Sequence, residues 1–396
     1  FNKLYEKDFH LEGYDPTYKG HQGQIKRALK LIKEAKRPLI IAGAGILKAR
    51  ASMELKKLAE KIDSPVTTTL LGLGAFPSSH ELSLGMLGMH GTVAANYATD
   101  EADLIIAAGI RFDDRITGNP DKFCKKARII HIDIDPAEID KNKKADVPIV
   151  GDLKNVLSGL NKEVEAKENV DWIKKTKEWK AEYPLGYRKV AEDKLVAQEV
   201  LEELNNILKG EAIVVTDVGQ HQMWTAQFID YETPDSIITS GGAGTMGFGL
   251  PAAIGAKVAM PEKKVVLVVG DGGFQMTFQE LMMIRQYNLN VKVVIINNSF
   301  LGMVRQWQEL FHDRRYSFVD LTYNPDFVKI SEAYGIKGVK IKTKEDLKTK
   351  LKELIESDEG VIIDCIVEKE ENVYPMIPAG TSVAQMVGKK GVLENE

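Results

Sequence analysis

Short, nearly continuous apolar runs, each followed by a stretch with a helical period, limit most strongly what this chain can fold into. Runs such as PLIIA at 38–42 and VVLVV at 265–269 show no polar alternation, so strands built from them are buried on both faces. Amphipathic stretches such as QIKRALKLI at 24–32 separate such runs. The alternation predicts the α/β class, with two doubly wound parallel-sheet domains whose helices cover both faces of each sheet.

The same pattern predicts the domain organisation. The expected segments are an N-terminal segment at 1–21, a first α/β domain at 22–154, a helical linker at 155–195, a second α/β domain at 196–375 and a C-terminal tail at 376–396. Strands are expected within PLIIAGAGI, SPVTTTLLGLGAFP, EADLIIAAGIRF and ARIIHIDID, and then within EAIVVTDVG, SIITSGG, KKVVLVVGDGG, VKVVIINN and GVIIDCIVE. In the linker, Trp172 and Trp179 lie seven residues apart and predict a helix that packs on a neighbouring domain.

Charge and composition exclude several classes of partner. A net charge of −4 gives no electrostatic reason to expect nucleic acid or an anionic membrane. No apolar run approaches the ~20 residues that a membrane-spanning helix needs. Cys124 and Cys365 stand apart in apolar surroundings, which is typical of reduced core residues in a cytoplasmic protein.

One carboxylate, Asp271, stands among glycines in GDGG at 270–273, where an apolar run gives way to a helical stretch. The carboxyl ends of parallel strands border the crevice in which such sheets bind ligands. Glycines let the backbone approach a ligand closely, and a helix expected to start near Thr277 would direct its N–H groups at an anion. An acid beside an anion site requires a bridging cation, and Mg²⁺ satisfies both groups.

A second oxygen ligand for Mg²⁺ is predicted at Asn298, which follows the apolar run VKVVIIN 27 residues after Asp271. That interval fits a strand–helix–strand crossover, which would bring both side chains to the same edge of the sheet. Each motif alone also fits an ordinary Asp-Gly turn or Asn-Asn loop. The combination at crossover spacing favours the metal site.

The GDG triplet followed by the NN pair resembles the cofactor motif of thiamin-diphosphate enzymes. The resemblance implies that Asp271, Asn298 and the main-chain carbonyl of Phe300 hold Mg²⁺. His221 would bind the diphosphate, although a lone histidine is more often structural. The thiamin diphosphate contacts implied in full are Gly219, Gln220, His221, Gly244, Met246, Gly270, Asp271, Gly272, Gly273, Asn298, Leu301, Gly302 and Met303.

The glycine-rich stretch SGGAGTMGFG at 240–249 fits the same cofactor. By the resemblance, Met246 is the apolar wedge that holds thiamin diphosphate in its bent form, and the carbonyl of Gly244 accepts from its amino group. Met246 has a second interpretation as ordinary core filling. The glycines around Met246 favour the close approach of backbone to a ligand.

The stretch LGMVRQWQ at 301–308, with GTMGFGLPAAIGA and NVYPMIPAG, resembles the acetolactate synthase (acetohydroxyacid synthase) family. The resemblance implies that Met303 and Trp307 line the pocket for the second 2-oxoacid. Helical spacing also places Met303 and Trp307 on one stripe with three further apolar side chains, Val304, Leu310 and Phe311. Leu310 and Phe311 are expected to dock on the core.

The first α/β domain resembles the FAD-binding middle domain of the same family in LLGLGAFP, LGMLGMHG and AAGIRFDDRITGN. The resemblance implies bound FAD without a net redox role. Its GAG triplet lacks the third glycine of a dinucleotide fingerprint, and RFDDR also fits a self-satisfied network of surface ion pairs. The FAD contacts implied are Gly43, Ala44, Gly45, Leu70, Gly88, Met89, His90, Gly109, Arg111, Asp113, Arg115, Ile116, Asp133, Ile134 and Asp152.

The resemblance implies a transferase that decarboxylates pyruvate and joins the product to pyruvate or 2-oxobutyrate, in the synthesis of valine, leucine and isoleucine. The family's catalytic glutamate lies in a motif like RHEQGA of a pyrimidine-binding domain, and residues 1–396 contain no such motif. The chain is therefore expected to be the C-terminal two thirds of such an enzyme, inactive without that domain. A homodimer or larger assembly and a small regulatory subunit are expected partners.

Three alternatives stay open. A pyruvate oxidase-like flavoenzyme has the same two domain types, and oxygen-dependent peroxide formation would reveal it. A catabolic acetolactate synthase would lack FAD, which flavin absorbance would test. A non-catalytic module would bind the cofactor without turnover.

Overall fold

The apolar runs form two six-stranded sheets in a computed structural model, which describes residues 15–392. Every strand pairing within these residues is parallel, and helices cover the sheets, which confirms the predicted fold class. Most of the predicted N-terminal segment and the end of the predicted tail lie outside the described residues. No helix within 15–392 is both long and apolar enough to cross a membrane.

The first sheet has the order β3-β2-β1-β4-β5-β6. Its strands are β1 (Pro38–Ala42), β2 (Val66–Thr68), β3 (Ser83–Met86), β4 (Leu104–Ala108), β5 (Arg128–Asp133) and β6 (Val147–Val150). The helices are α1 (Gln22–Glu34), α2 (Ala44–Lys48), α3 (Ser52–Lys61), α4 (Val93–Glu101), α5 (Asp114–Thr117), α6 (Leu153–Glu163) and α7 (Val170–Glu182). The strand order reverses between β1 and β4, so the loops after these two strands meet at the crevice typical of such sheets.

The residues predicted as a linker contain α6 and α7, and both helices pack on the first domain. Val156, Leu157 and Leu160 of α6 belong to its main core cluster. Trp172 and Trp179 of α7 are buried with residues of β1 and β4, and the Trp172 indole donates to the Pro38 carbonyl at 2.8 Å. The tryptophans thus attach α7 to the face of the sheet opposite α6.

The second sheet has the order β11-β12-β10-β9-β7-β8. Its strands are β7 (Ile213–Thr216), β8 (Ile237–Thr239), β9 (Val265–Gly270), β10 (Val291–Asn297), β11 (Lys337–Ile341) and β12 (Val361–Ile366). Its helices are α8 (Ala197–Leu208), α9 (Gln220–Phe228), α10 (Gly249–Ala259), α11 (Asp271–Thr277), α12 (Leu281–Gln286), α13 (Gly302–Phe311), α14 (Phe327–Ala333) and α15 (Lys344–Glu356). Because all six strands are parallel, the loops after β7, β8, β9 and β10 gather at one edge.

The helix predicted to start near Thr277 begins at Asp271 instead, so that prediction is wrong. Gly270 has an extended backbone and serves as the N-cap, and Asp271 occupies the first turn, where a carboxylate is favoured by the helix dipole. At Thr277 the helix gives way to a single 3₁₀ turn. Cys124 and Cys365 are buried and free, and burial raises the pKa of both thiols.

Candidate active site

The carboxyl ends of the strands in both sheets border one continuous cavity of about 1290 Å³. Every residue predicted for the cofactor and substrate sites lines this cavity, except Gly43 and Gly88. A pocket for one drug-sized ligand has roughly 300–1,000 Å³. The cavity is therefore large enough for more than one ligand, with one end on each domain.

Asp271, in the first turn of α11, and Asn298, directly after β10, follow adjacent parallel strands, which confirms the predicted crossover. Strands β9 and β10 pair in parallel with Ile296 opposite Gly270. Asp271 is 1% exposed and forms no ion pair within residues 15–392. Burial raises the pKa of Asp271 to about 7, against the hydrogen bond from Asn324 that lowers it. A buried carboxylate without a cationic partner is the environment that a metal ion satisfies.

Asn298 has a fixed side-chain orientation. Its Nδ2 donates to Gln220 Oε1 at 3.3 Å, and its Oδ1 accepts from the Phe300 N–H at 3.1 Å. Gly302 allows this contact, because a Cβ there would lie 2.1 Å from Gln220 Oε1. No cluster of three His, Cys, Asp or Glu side chains in the described part of the chain could hold a metal. A metal here would need the carboxylate, amide and main-chain set predicted from the sequence.

The start of α9 supplies groups that fit an anionic ligand. His221 is buried in its first turn, and burial lowers the pKa of His221 to about 4, although nearby Asp217 opposes the shift. The imidazole is therefore neutral near pH 7, and its Nε2 has no hydrogen-bond partner among the described residues. The Gln220 side chain, in contrast, is used within the protein: it donates to Gln306 Oε1 at 2.8 Å and to the Glu371 carbonyl at 2.9 Å. Both N–H groups of the Gln220 side chain are thus engaged within the protein.

The glycine-rich segment after β8 is an open cradle. A Cβ on Gly242 would meet no atom within 4 Å, and Gly244 has φ of +64°. Met246 is half-buried on the cavity wall and belongs to none of the core clusters formed by residues 15–392, which argues against plain core filling. Its Cε lies 3.7 Å from the position of a Cβ on Gly272.

The sequence interpretation did not include Asp217, which fixes the end of this cradle. The side chain is fully buried and accepts from the N–H groups of Gly247 at 3.1 Å and Gly249 at 2.7 Å. It also explains Gly273, since a Cβ there would lie 2.4 Å from Asp217 Oδ1. Asp217 could have been identified from the sequence, because it is a carboxylate directly after an apolar strand, as Asp271 is.

Helix α13 presents polar rather than apolar side chains to the protein interior. Arg305 and Gln306 are 0% exposed, whereas Val304 is 50% and Phe311 44% exposed. The prediction that Phe311 docks on the core is therefore wrong. Leu310 and Trp307 do pack, against a small cluster of Met89, Tyr374 and Met376.

The polar face of α13 is explained by its neighbour, the segment at 371–374. Arg305 donates to the Glu371 carbonyl at 2.7 Å and to Asn372 Oδ1 at 2.6 Å, and pairs with Glu309. Gln306 exchanges hydrogen bonds with the main chain of Val373. Irregular backbone exposes N–H and C=O groups that need partners when buried, and apolar side chains could not satisfy them.

At the first-domain end of the cavity, the charged side chains of RFDDR form ion pairs with one another. Arg111 pairs with Asp113 at 3.2 Å and Arg115 with Asp114 at 3.5 Å, and both arginines line the cavity. Burial raises the pKa of Asp133, which lies at the end of β5.

The glycines after β1 serve close backbone packing. A Cβ on Gly43 would lie 2.2 Å from the Gly109 carbonyl oxygen, and one on Gly45 would lie 2.6 Å from Gly109 Cα. Asp152 caps α6 by accepting from the Asn155 N–H at 3.0 Å. These residues thus have structural roles whether or not they also contact a ligand.

Comparison with known proteins identifies relatives over both domains. Residues 25–160 match the family described as thiamine pyrophosphate enzyme, central domain, and residues 217–365 match its C-terminal TPP binding domain. The chain is 46% identical over 394 residues to the acetolactate synthase large subunit of Buchnera aphidicola. It is 48% identical over 389 residues to the probable acetolactate synthase large subunit of Methanocaldococcus jannaschii, and 46% identical over 395 residues to the large subunit of Lactococcus lactis. These matches cover 98%, 95% and 100% of this chain but 69%, 65% and 68% of the relatives, so the chain spans about two thirds of their length.

Proposed function

The chain belongs to the acetolactate synthase large-subunit family, and on that premise we propose that it carries the cofactor site and acceptor pocket of that transferase. The reaction decarboxylates pyruvate and joins the remaining two-carbon unit to pyruvate or 2-oxobutyrate. The observation that carries the proposal is the convergence of Asp271, Asn298 and the unpartnered imidazole of His221 on a cavity that also contains Trp307.

Asp271, Asn298 Oδ1 and the Phe300 carbonyl would hold Mg²⁺, which prefers oxygen ligands and keeps some of its coordination for phosphate and water. His221 Nε2 can donate to a diphosphate as a neutral imidazole, and the open cradle around Gly242 and Gly244 leaves room for the organic part. Bound thiamin diphosphate supplies the electron sink on which a 2-oxoacid loses CO₂. Met246 would support its bent form from the cavity wall.

The chain's own contribution to specificity is the apolar face of α13. Met303 and Trp307 line the cavity, and Trp307 is held by contacts with Phe311 and with the cluster around Met89. A pocket wall of this kind distinguishes one methylene by about 1–3 kcal/mol. An apolar wall would also keep water away from the reactive carbon, which would favour attack on a 2-oxoacid over reaction with solvent.

The first-domain end of the cavity would hold FAD. Arg111 and Arg115 offer cationic groups at the cavity wall, and Asp133 offers a carboxylate at the end of β5 for a ribose hydroxyl. The size of the cavity supports a dinucleotide beside thiamin diphosphate. Flavin absorbance of the purified protein separates this proposal from an enzyme of the same family that lacks FAD.

A pyrimidine-binding domain with the catalytic glutamate would complete the site, in a homodimer or larger assembly that would also bind a small regulatory subunit. Four large apolar side chains on and beside α10, α11 and α12 are exposed, and a partner domain on this side of the sheet would cover them. Val258 is 61%, Met260 41%, Met276 52% and Met282 53% exposed.

The test is to add pyruvate, thiamin diphosphate, Mg²⁺ and FAD to the purified chain, and to measure both thiamin diphosphate binding and acetolactate. We expect Mg²⁺-dependent binding that Asp271→Ala abolishes and that Asp133→Ala, on the opposite end of the cavity, leaves unchanged. Addition of a pyrimidine-binding domain should then give acetolactate. Absence of binding by the unaltered chain would contradict the cofactor assignment, and peroxide in place of acetolactate would favour a pyruvate oxidase-like reaction.

A further inference from the structure

We propose that Asn324 is a positioning residue for the metal site, which orients the carboxylate of Asp271 for a divalent cation and is itself oriented by Gln275. The inference rests on the proposed function, because it concerns the cation that Asp271 and Asn298 would share. Asn324 lies in the loop between α13 and α14, 53 residues from Asp271 in the sequence. It does not line the cavity, so it would act through Asp271.

The contact between Asn324 and Asp271 is short and specific to one oxygen. Asn324 Nδ2 donates to Asp271 Oδ2 at 2.6 Å. A carboxylate that accepts a hydrogen bond on one oxygen cannot rotate freely about its Cβ–Cγ bond. The bond therefore fixes which edge of the Asp271 carboxylate faces the cavity, and metal ligands are commonly oriented by partners of this kind.

Gln275 determines which end of the Asn324 amide faces Asp271. Gln275 Nε2 donates to Asn324 Oδ1 at 2.8 Å and to the Asp271 carbonyl at 3.3 Å. Because Asn324 Oδ1 is engaged by this donor, its NH₂ group is directed at the carboxylate. A reversed amide would place two oxygens against each other, which costs the buried carboxylate its hydrogen bond.

The same loop also fixes the main-chain ligand. The Leu301 N–H donates to the Val319 carbonyl and the Leu321 N–H to the Ser299 carbonyl, both at 2.8 Å. These two bonds flank Phe300, so the peptide groups on either side of it cannot turn independently. Two of the three proposed metal ligands are thus held from one loop.

The test measures the dissociation constant of Mn²⁺, as a probe for Mg²⁺, by electron paramagnetic resonance with thiamin diphosphate present. Asn324→Leu removes the donor at nearly constant volume, and we expect Mn²⁺ to bind roughly 10- to 100-fold more weakly. Gln275→Glu replaces the donor with an acceptor, so the Asn324 amide should reverse and Mn²⁺ affinity should fall in the same way. Neither substitution removes a metal ligand.

The matched control is Asn290→Leu, which also removes one amide donor. Asn290 lies at the amino end of β10, away from the cavity, and its Nδ2 donates to the Ser357 carbonyl at 3.1 Å. Its Mn²⁺ affinity should equal that of the unaltered chain, and the metal-free unfolding temperatures of the three variants should be similar. Unchanged Mn²⁺ affinity in Asn324→Leu and Gln275→Glu would overturn this inference but leave the cofactor assignment intact. Absence of Mn²⁺ binding in the unaltered chain would overturn the cofactor assignment together with it.

Discussion

The buried guanidinium of Arg305 provides the sharpest test of how α13 is held. Removing one partner of a buried ion pair typically costs 3–5 kcal/mol, because the other charge loses its compensation. Here Glu309 keeps hydrogen bonds from Asn372 at 3.0 Å and Arg314 at 3.3 Å, and the Glu371 carbonyl keeps its bond from Gln220. The loss should therefore lie near the lower limit. We expect Arg305→Met to reduce the free energy of unfolding by about 3 kcal/mol.

The assay is differential scanning calorimetry of the purified chain. For a domain of this size a loss of 1 kcal/mol lowers the melting temperature by about 2–4 °C, so the expected decrease is about 6–12 °C. Arg314→Met is the matched control, because Arg314 also contacts Glu309 but is 64% exposed. Its loss should not exceed about 1 kcal/mol. Adding Glu309→Leu to Arg305→Met should restore part of the stability.

A loss below about 1 kcal/mol in Arg305→Met would refute the reasoning, because such a value is typical of an exposed ion pair. The same conclusion would follow if the Glu309→Leu addition destabilised the chain further. Either result would mean that the buried ion pair of Arg305 does not hold α13 to the segment at 371–374.

Three further predictions concern the cavity. Gly302→Ala should weaken thiamin diphosphate binding about tenfold or more, because the new Cβ would lie 2.1 Å from Gln220 Oε1. Gly159→Ala is the control, since its Cβ would meet its nearest neighbour at 3.9 Å, and it should not change the binding. Equal binding constants for the two variants would contradict this prediction. Burial lowers the pKa of His90 to about 4, so between pH 6.5 and 4 only the unfolded state takes up a proton at this residue. The contribution of neutral His90 to the free energy of unfolding is therefore present above pH 6.5 and is lost as the pH falls. From pH 7 to 5 the free energy of unfolding should decrease by about 2 kcal/mol on account of this residue. Urea unfolding should show a smaller decrease in His90→Gln. Trp307→Leu should reduce the preference for 2-oxobutyrate over pyruvate about tenfold in competition assays of the completed enzyme.

The central strands were predictable because burial on both faces leaves a run of apolar residues. The three strands that were not predicted, β3, β6 and β11, are edge strands in the order of the two sheets. Strand β11 is partly solvated, and its sequence KGVKI carries two lysines. Strands β3 (SLGM) and β6 (VPIV) have only four residues each, and β6 contains a proline, so neither forms a long β-branched run. Each of the three pairs with the strand next to it in chain order, β3 with β2, β6 with β5 and β11 with β12.

Among the residues proposed for the metal site, Asp271 and Asn298 could be predicted to lie close together, because their positions follow from strand spacing. Asn324 could not, because its partner is 53 residues away and its loop has no periodic pattern. Arg305 was also missed, since a charged residue on a helix is normally exposed. Its burial depends on carbonyl groups of a segment that only the folded chain brings near.

The hydrogen bonds that anchor helix α13 and the side chains that it presents to the cavity lie on different faces of the helix. Its anchoring hydrogen bonds come from Arg305 and Gln306 on one face, while Met303 and Trp307 line the cavity on the other. A substitution on the cavity face removes none of the hydrogen bonds that fix the helix. The hydrogen bonds that hold α13 can therefore persist while the side chains on its cavity face diversify in evolution one at a time.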